Sequence, residues 1–263
     1  MSLVSRRVVD TAGATIQVTD TGDGEPALVF LHYWGGSSST WQDVIDRFGG
    51  QPRAIALDQR GWGSSVATDG RYNLGAMADD AEAVARTLGL HSYVLVGHSM
   101  GGKVAQIIAA RGPKELVGMV LIAPAPPTPM PVPETVRAGM FQQYSSRAGA
   151  LEALAVLGGD SLPSQLREQV IEDTLRGAPE AKRAWTEHNM IEDVGAGLAA
   201  VTVPVTVVIG DRDQVEHEPS LRKAFARFLP QTTFRVLKGV GHLSALQAPD
   251  ELADACTAFL KNL

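Results

Sequence analysis

The chain has 263 residues, 44% hydrophobic and 20% charged, the balance of a soluble globular protein of about one α/β domain. A formal net charge of −6 with no Lys/Arg cluster argues against nucleic-acid and anionic-membrane partners, and the single cysteine, Cys256, excludes an intramolecular disulfide. No run approaches the roughly 20 apolar residues of a bilayer span, and the opening MSLVSRRVVD lacks the apolar run of a leader, so a cytoplasmic location is expected.

In chain order, residues 6–22 read as a hairpin at a sheet edge. Apolar, β-branched runs follow at 26–32, 53–58, 92–98, 116–124, 203–211 and 233–242. Their apolar residues are mostly continuous, which suits strands buried on both faces of a parallel sheet. Helical patterns lie between them. One covers 79–90 and stops at Gly89, and another covers 101–113, with Val104, Ile107 and Ile108 on one face and a stop at Gly112-Pro113. The last starts at Pro249-Asp250 and places Cys256 in its apolar stripe, as a small core residue. Alternation of this kind predicts a parallel sheet with helices on both faces. The six histidines show no Cys/His spacing of a zinc site, so no metal is expected.

The alternation stops between Ala125 and Gly197. The opening of this region, APAPPTPMPVPE (123–134), is too proline-rich for regular structure. Four helical patterns follow at 134–146, 149–159, 163–177 and 179–191, with no convincing strand. The expected division is a core of residues 1–124 and 198–263 with a helical cap of residues 125–197, placed as lids over active sites are. Val136, Met140, Phe141 and Tyr144 are spaced to share a helix face, where they line a pocket or pack a core.

Chemistry enters at LVGHSMGGKVA (95–105), where Gly97-His98-Ser99-Met100-Gly101 fits G-x-S-x-G between an apolar strand and an amphipathic helix. That is the setting of a nucleophile elbow, with Ser99 lifted above the sheet at a helix N-terminus. A serine hydroxyl needs a base and the base an orienting acid, in the order serine, acid, histidine. The loop after the 203–211 strand offers Asp211 and Asp213, and His242 follows the last strand. All would lie beyond the carboxyl ends of parallel strands. For an oxyanion hole, one donor is the Met100 N–H, and a second is expected from LHYWGGSSSTW (31–41).

Taken in order, LHYWGGSSSTW, DQRGWGSS (58–65), GHSMGG (97–102), GDRD (210–213) and GVGH (239–242) resemble the α/β-hydrolase superfamily, specifically its small serine esterases with a helical cap. The resemblance covers nearly all of the chain outside the cap. It implies the α/β-hydrolase fold: a mostly parallel eight-stranded sheet flanked by helices. The family's G-x-x-D pattern selects Asp213, and its H-G-x-x loop implies Trp34 as the second oxyanion donor, although Tyr33 stands where glycine is usual. Asp58 and Arg60 are read as loop braces, and Lys103 as a surface or loop-bracing residue, not a catalytic amine. Serine at the elbow speaks against the dehalogenases and epoxide hydrolases of the superfamily, which use aspartate there, and His98 before it favours esterases and lipases. The implied activity is cleavage of a small, mostly apolar ester through an acyl-enzyme, by Ser99, Asp213 and His242, without a cofactor. The partner expected is a small-molecule substrate, in a pocket formed by Tyr33, Trp34, Met140, Phe141, Tyr144 and Leu243. A lactonase, a carbon–carbon bond hydrolase, or a cofactor-free perhydrolase or haloperoxidase would use the same triad. A non-catalytic ligand-binding protein is the rival from another class, and an intact triad argues against it.

Overall fold

Strands β1 (Ser5–Asp10) and β2 (Ala14–Thr21) pair antiparallel as the expected edge hairpin. The computed structural model describes residues 5–263, so the part of the leader reading that concerns residues 1–4 lies outside the described residues. Five of the remaining strands are β3 (Ala27–Leu31), β4 (Ala54–Leu57), β6 (Tyr93–His98), β7 (Leu116–Ile122) and β8 (Val205–Gly210). With β9 (Thr233–Leu237) they complete the order β1-β2-β4-β3-β6-β7-β8-β9, parallel from β4 onward. A two-residue strand, β5 (Val66–Ala67), adds to β2 as a ninth that the sequence did not announce.

Successive residues of the central strands serve opposite faces. Val29 and Leu31 pack with Val104 and Ile108 of α3 (Met100–Arg111) and Met77 and Val84 of α2 (Leu74–Thr87). Leu28 and Phe30 pack with Val44 of α1 (Gln42–Arg47) and Leu252 and Cys256 of the last helix (Pro249–Leu260). Two apolar faces explain why the strand sequences are continuous and not alternating. Helix α2 begins five residues before the predicted start, because the Asn73 side chain accepts the Ala76 N–H at 2.8 Å and caps it. Helices α1 and α8 (Glu218–Phe228) were not anticipated; α8 is anchored by Leu221 and Phe225, one helical turn apart. Between β7 and β8 the chain forms α4 (Glu134–Gln143), α5 (Arg147–Val156), α6 (Ser164–Arg176) and α7 (Pro179–Glu187), with no strand. No helix among the described residues is long and apolar enough to cross a membrane.

The order β4-β3-β6 places the topological switch between β3 and β6, where the strand order reverses direction and a crevice opens at the carboxyl ends. The loops that leave those two strands are residues 32–37 and the Ser99 turn. Asp58 ties the first of them down: its carboxylate accepts the Ser38 N–H at 2.7 Å and the Ser64 N–H at 2.8 Å. Arg60 is fully buried, and its charge is satisfied by two bonds to Asp80 (2.6 and 2.9 Å), by Asp69 at 3.1 Å and by the Arg71 carbonyl at 2.7 Å.

Candidate active site

Ser99 is the single residue between the end of β6 and the start of α3, with φ 51° and ψ −112°. A non-glycine residue held there stores about 1–3 kcal/mol of backbone strain. Its neighbours enforce the conformation: the Ser99 N–H donates to the Ile122 carbonyl at 3.0 Å, and its own carbonyl accepts from Lys103 and Ala125 N–H groups, both at 3.1 Å. The flanking glycines are steric necessities. A Cβ on Gly97 would lie 2.6 Å from the Gly101 carbonyl oxygen, and one on Gly101 would lie 2.2 Å from that of Leu31. The turn therefore packs directly against the end of β3, and Ser99 lines the cavity beyond it.

Asp213 sits after β8 and His242 after β9, both buried. His242 Nδ1 donates to Asp213 Oδ2 at 2.8 Å, while Asp213 Oδ1 accepts the Val215 and Glu216 N–H groups at 2.8 and 3.0 Å. Burial alone would raise the Asp213 carboxyl, but the neighbouring imidazole and these donors outweigh it and hold the group below the ordinary carboxylate range. Asp211 lies elsewhere: it is exposed and accepts the Gly239 N–H. With Nδ1 committed to Asp213, Nε2 is the ring nitrogen of His242 left for another partner. His242 and Ser99 line the same cavity.

His98 has a role that its place before the serine did not reveal. It is fully buried, and its Nε2–H donates to the His242 backbone carbonyl at 2.9 Å, tying the elbow to the base loop. Its Nδ1 has no partner, and burial, reinforced by nearby His242, pushes its protonation well below the ordinary range. Lys103 is not a surface residue. It is buried in the first turn of the elbow helix, its ammonium donates to the Thr128 and Met190 carbonyls at 3.3 and 3.4 Å, which braces the segments that carry them, and burial pulls its pKa down to about 8.

His32 orders the loop after β3. Its Nδ1–H donates to the Tyr33 carbonyl at 2.8 Å and its Nε2 accepts the Gln59 N–H at 3.0 Å, which fixes the neutral tautomer. Burial lowers its pKa from 6.5 to about 4. Below pH 6.5 the unfolded chain takes up a proton that the folded chain refuses, so stability present above pH 6.5 is lost as the pH falls toward 4. At about 1.4 kcal/mol per pH unit, the gap from 6.5 to about 4 is worth about 3 kcal/mol. Urea unfolding across this window is expected to show a shallower pH dependence in His32→Gln than in wild type. Parallel curves would remove His32 as the source.

The cavity above Ser99 has a volume of about 360 Å³. Of the predicted pocket residues, Tyr33, Trp34, Met140 and Tyr144 line it. Phe141 does not: it lies beneath the Arg183 guanidinium at 4.7 Å. Leu243 does not either: it is buried against Tyr33 and Leu246. Met130 and Val132 of the proline-rich segment, Trp185 at the end of α7, Met190 and Val215 form walls that sequence patterning missed. No Lys, Arg, Asp or Glu is among the described residues that line it. Among the described residues, no group of three or more His, Cys, Asp or Glu side chains is placed to hold a metal ion.

Comparison with known proteins matches residues 28–255 to the profile of the alpha/beta hydrolase family. A 2-(acetamidomethylene)succinate hydrolase from Mesorhizobium japonicum is 27% identical, covering 98% of this chain and 95% of its own. A non-heme chloroperoxidase from Kitasatospora aureofaciens is 28% identical, covering 91% of this chain and 92% of its own. Among solved structures, an esterase from Exiguobacterium antarcticum superposes with a TM-score of 0.88 over 97% of this chain and 98% of its own, at 20% identity, a likeness of fold.

Proposed function

The chain belongs to the alpha/beta hydrolase family, and from that premise we propose that it is a serine hydrolase cleaving a small, mostly apolar carboxylic ester through an acyl-enzyme. The observation that carries the reading is the buried 2.8 Å Asp213–His242 hydrogen bond at the same cavity as a serine in a strained strand-to-helix turn. Ser99 Oγ attacks the ester carbonyl carbon as His242 Nε2 takes its proton. Asp213 holds the tautomer that leaves Nε2 free and stabilises the imidazolium. The imidazolium then protonates the departing alcohol, and a water, deprotonated by the same nitrogen, releases the acid and frees the serine.

The tetrahedral oxyanion is met by backbone donors. Met100 N–H is the first of α3 and has no partner within its helix. The Tyr33 carbonyl accepts from both His32 Nδ1–H and the Gly36 N–H (3.0 Å), which fixes the Tyr33–Trp34 peptide plane. A trans peptide aims its N–H opposite its carbonyl, so the Trp34 N–H turns away from those donors. Each such donor is worth about 3–4 kcal/mol in the transition state.

The lining sets the charge of the substrate. A carboxylate brought into this cavity would lose its water without gaining a cationic partner, at a cost of several kcal/mol. An uncharged ester meets no such cost. The volume is toward the small end of ligand pockets, which span about 300–1,000 Å³. A panel of p-nitrophenyl esters from about two to about twelve acyl carbons, with a hemisuccinate ester beside them, tests the reading. Turnover is expected to favour the shorter uncharged acyl groups and to discriminate against the hemisuccinate. No turnover of any ester, or preference for the anionic one, would retire it. Similarity to a chloroperoxidase keeps perhydrolysis as a second reading; halogenation driven by acetate and hydrogen peroxide, outpacing ester hydrolysis, would favour it.

A further inference from the structure

The loop that carries Trp34 is gripped by residues of the helical insertion, and the grip centres on Tyr144, just beyond α4. The Tyr144 and Trp34 rings stack with centroids 3.5 Å apart and planes 18° from parallel. The Tyr144 hydroxyl donates to the Trp34 carbonyl at 3.4 Å. The ring also presses on the loop backbone: a Cβ on Gly35, whose φ is +97°, would lie 2.7 Å from Tyr144 Cε1. Tyr144 is itself held from behind. The buried Lys182 of α7 donates to the Tyr144 carbonyl at 2.8 Å and to that of Leu175 at 3.1 Å. Further along the same loop, Ser37 and Ser39 hydroxyls donate to Asp173 of α6 at 2.9 and 2.7 Å.

We infer that Tyr144 is a positioning residue for the oxyanion hole, clamping Trp34 so that its backbone N–H stays where the transition-state oxygen develops. The inference rests on the serine-hydrolase reading above. Stacking restrains the Trp34 side chain, contact at Gly35 restrains the next peptide, and the hydroxyl restrains the carbonyl between them. Three restraints on two adjacent residues act on orientation, which matters to a donor that must be in place before the oxyanion forms. Tyr144 also lines the cavity. Pocket walls act on substrate and transition state alike, whereas a positioned donor acts on the transition state.

That difference supplies the test. Tyr144→Leu and Tyr144→Phe are assayed on the best p-nitrophenyl ester for kcat and KM. Inhibition is measured with a trifluoromethyl ketone, which binds as an oxyanion adduct of the serine, and with the matching amide, which binds unreacted. Tyr144→Leu is expected to lower kcat about tenfold or more with KM within about threefold, to weaken the trifluoromethyl ketone in proportion, and to spare the amide. Tyr144→Phe keeps the stack and removes only the hydroxyl restraint, so its loss of kcat is expected to be smaller than that of Tyr144→Leu, with the same split between the two inhibitors. If the leucine variant does not fold, Lys182→Met, which frees the Tyr144 carbonyl from behind without entering the cavity, is read by the same split. Unchanged kcat, or equal loss of both inhibitors, overturns the positioning role. Ser99→Ala, run alongside, separates the two claims. An active Ser99→Ala removes the hydrolase reading itself; an inactive one beside a fully active Tyr144→Leu removes only the clamp.

Discussion

Ser99→Ala is expected to lower kcat/KM for the best ester by about four to six orders of magnitude while leaving the fold intact. The substitution removes the side-chain hydroxyl of the elbow and leaves the Asp213–His242 pair, bonded at 2.8 Å, undisturbed. What remains is binding and the oxyanion donors, which together supply about 10³–10⁴ over water. Stability is expected to change by less than about 0.5 kcal/mol, because alanine inherits the same φ of 51° and the serine side chain has no hydrogen bond to lose. Ser99→Gly separates chemistry from strain. It is equally inactive, but glycine adopts positive φ without steric cost, so its thermal midpoint is expected to rise by the equivalent of about 1 kcal/mol. Measured rates and melting curves of the two variants check both halves. A Ser99→Ala protein within tenfold of wild type would end the nucleophile assignment.

The parts of this site that could be read in the sequence are those where covalent geometry restricts the residue type. Gly97 and Gly101 stand where a Cβ would meet backbone oxygen at 2.6 and 2.2 Å, so the elbow leaves a pattern in the letters. Asp213 and His242 follow strands and lie at the one sheet edge where parallel strands all end. The pocket walls carry no such constraint. Val136, Met140 and Tyr144, at i, i+4 and i+8, line the cavity; Phe141 is one residue, or about 100° of helix rotation, away from Met140 and faces Arg183 instead. Apolar spacing grouped all four residues because it locates a face, not what that face meets. His98 was illegible for another reason. Many residues fit the second position of G-x-S-x-G, and its bond to the His242 carbonyl spans 144 residues of sequence. The helical insertion shows the same limit: its helices were readable from their periodicity, but not the grip of Tyr144, Thr174 and Asp173 on the loop after β3.

Asp213→Asn is expected to lower kcat by about 10⁴, whereas Asp211→Asn should leave it within a few-fold. The asymmetry follows from donor and acceptor counting. Asp213 Oδ1 is committed to two N–H donors, from Val215 at 2.8 Å and Glu216 at 3.0 Å. An asparagine in its place must keep its oxygen toward those donors, because turning the amide over would set N–H against N–H in a buried site. Its NH₂ group then faces His242 Nδ1, which can bond to it only as an acceptor. The ring proton moves to Nε2, and the nitrogen that should take the serine proton already holds one. The side chain still fits and the fold survives, so the loss is one of proton placement. Imidazole ¹⁵N shifts of His242 would show the tautomer directly: proton on Nδ1 in wild type, on Nε2 in Asp213→Asn. Asp211, exposed and bonded to the Gly239 N–H, has no contact with the imidazole, so its amide changes nothing at Nδ1. Equal losses in the two variants, or an Asp213→Asn enzyme with the wild-type tautomer and rate, would take the orienting role away from Asp213.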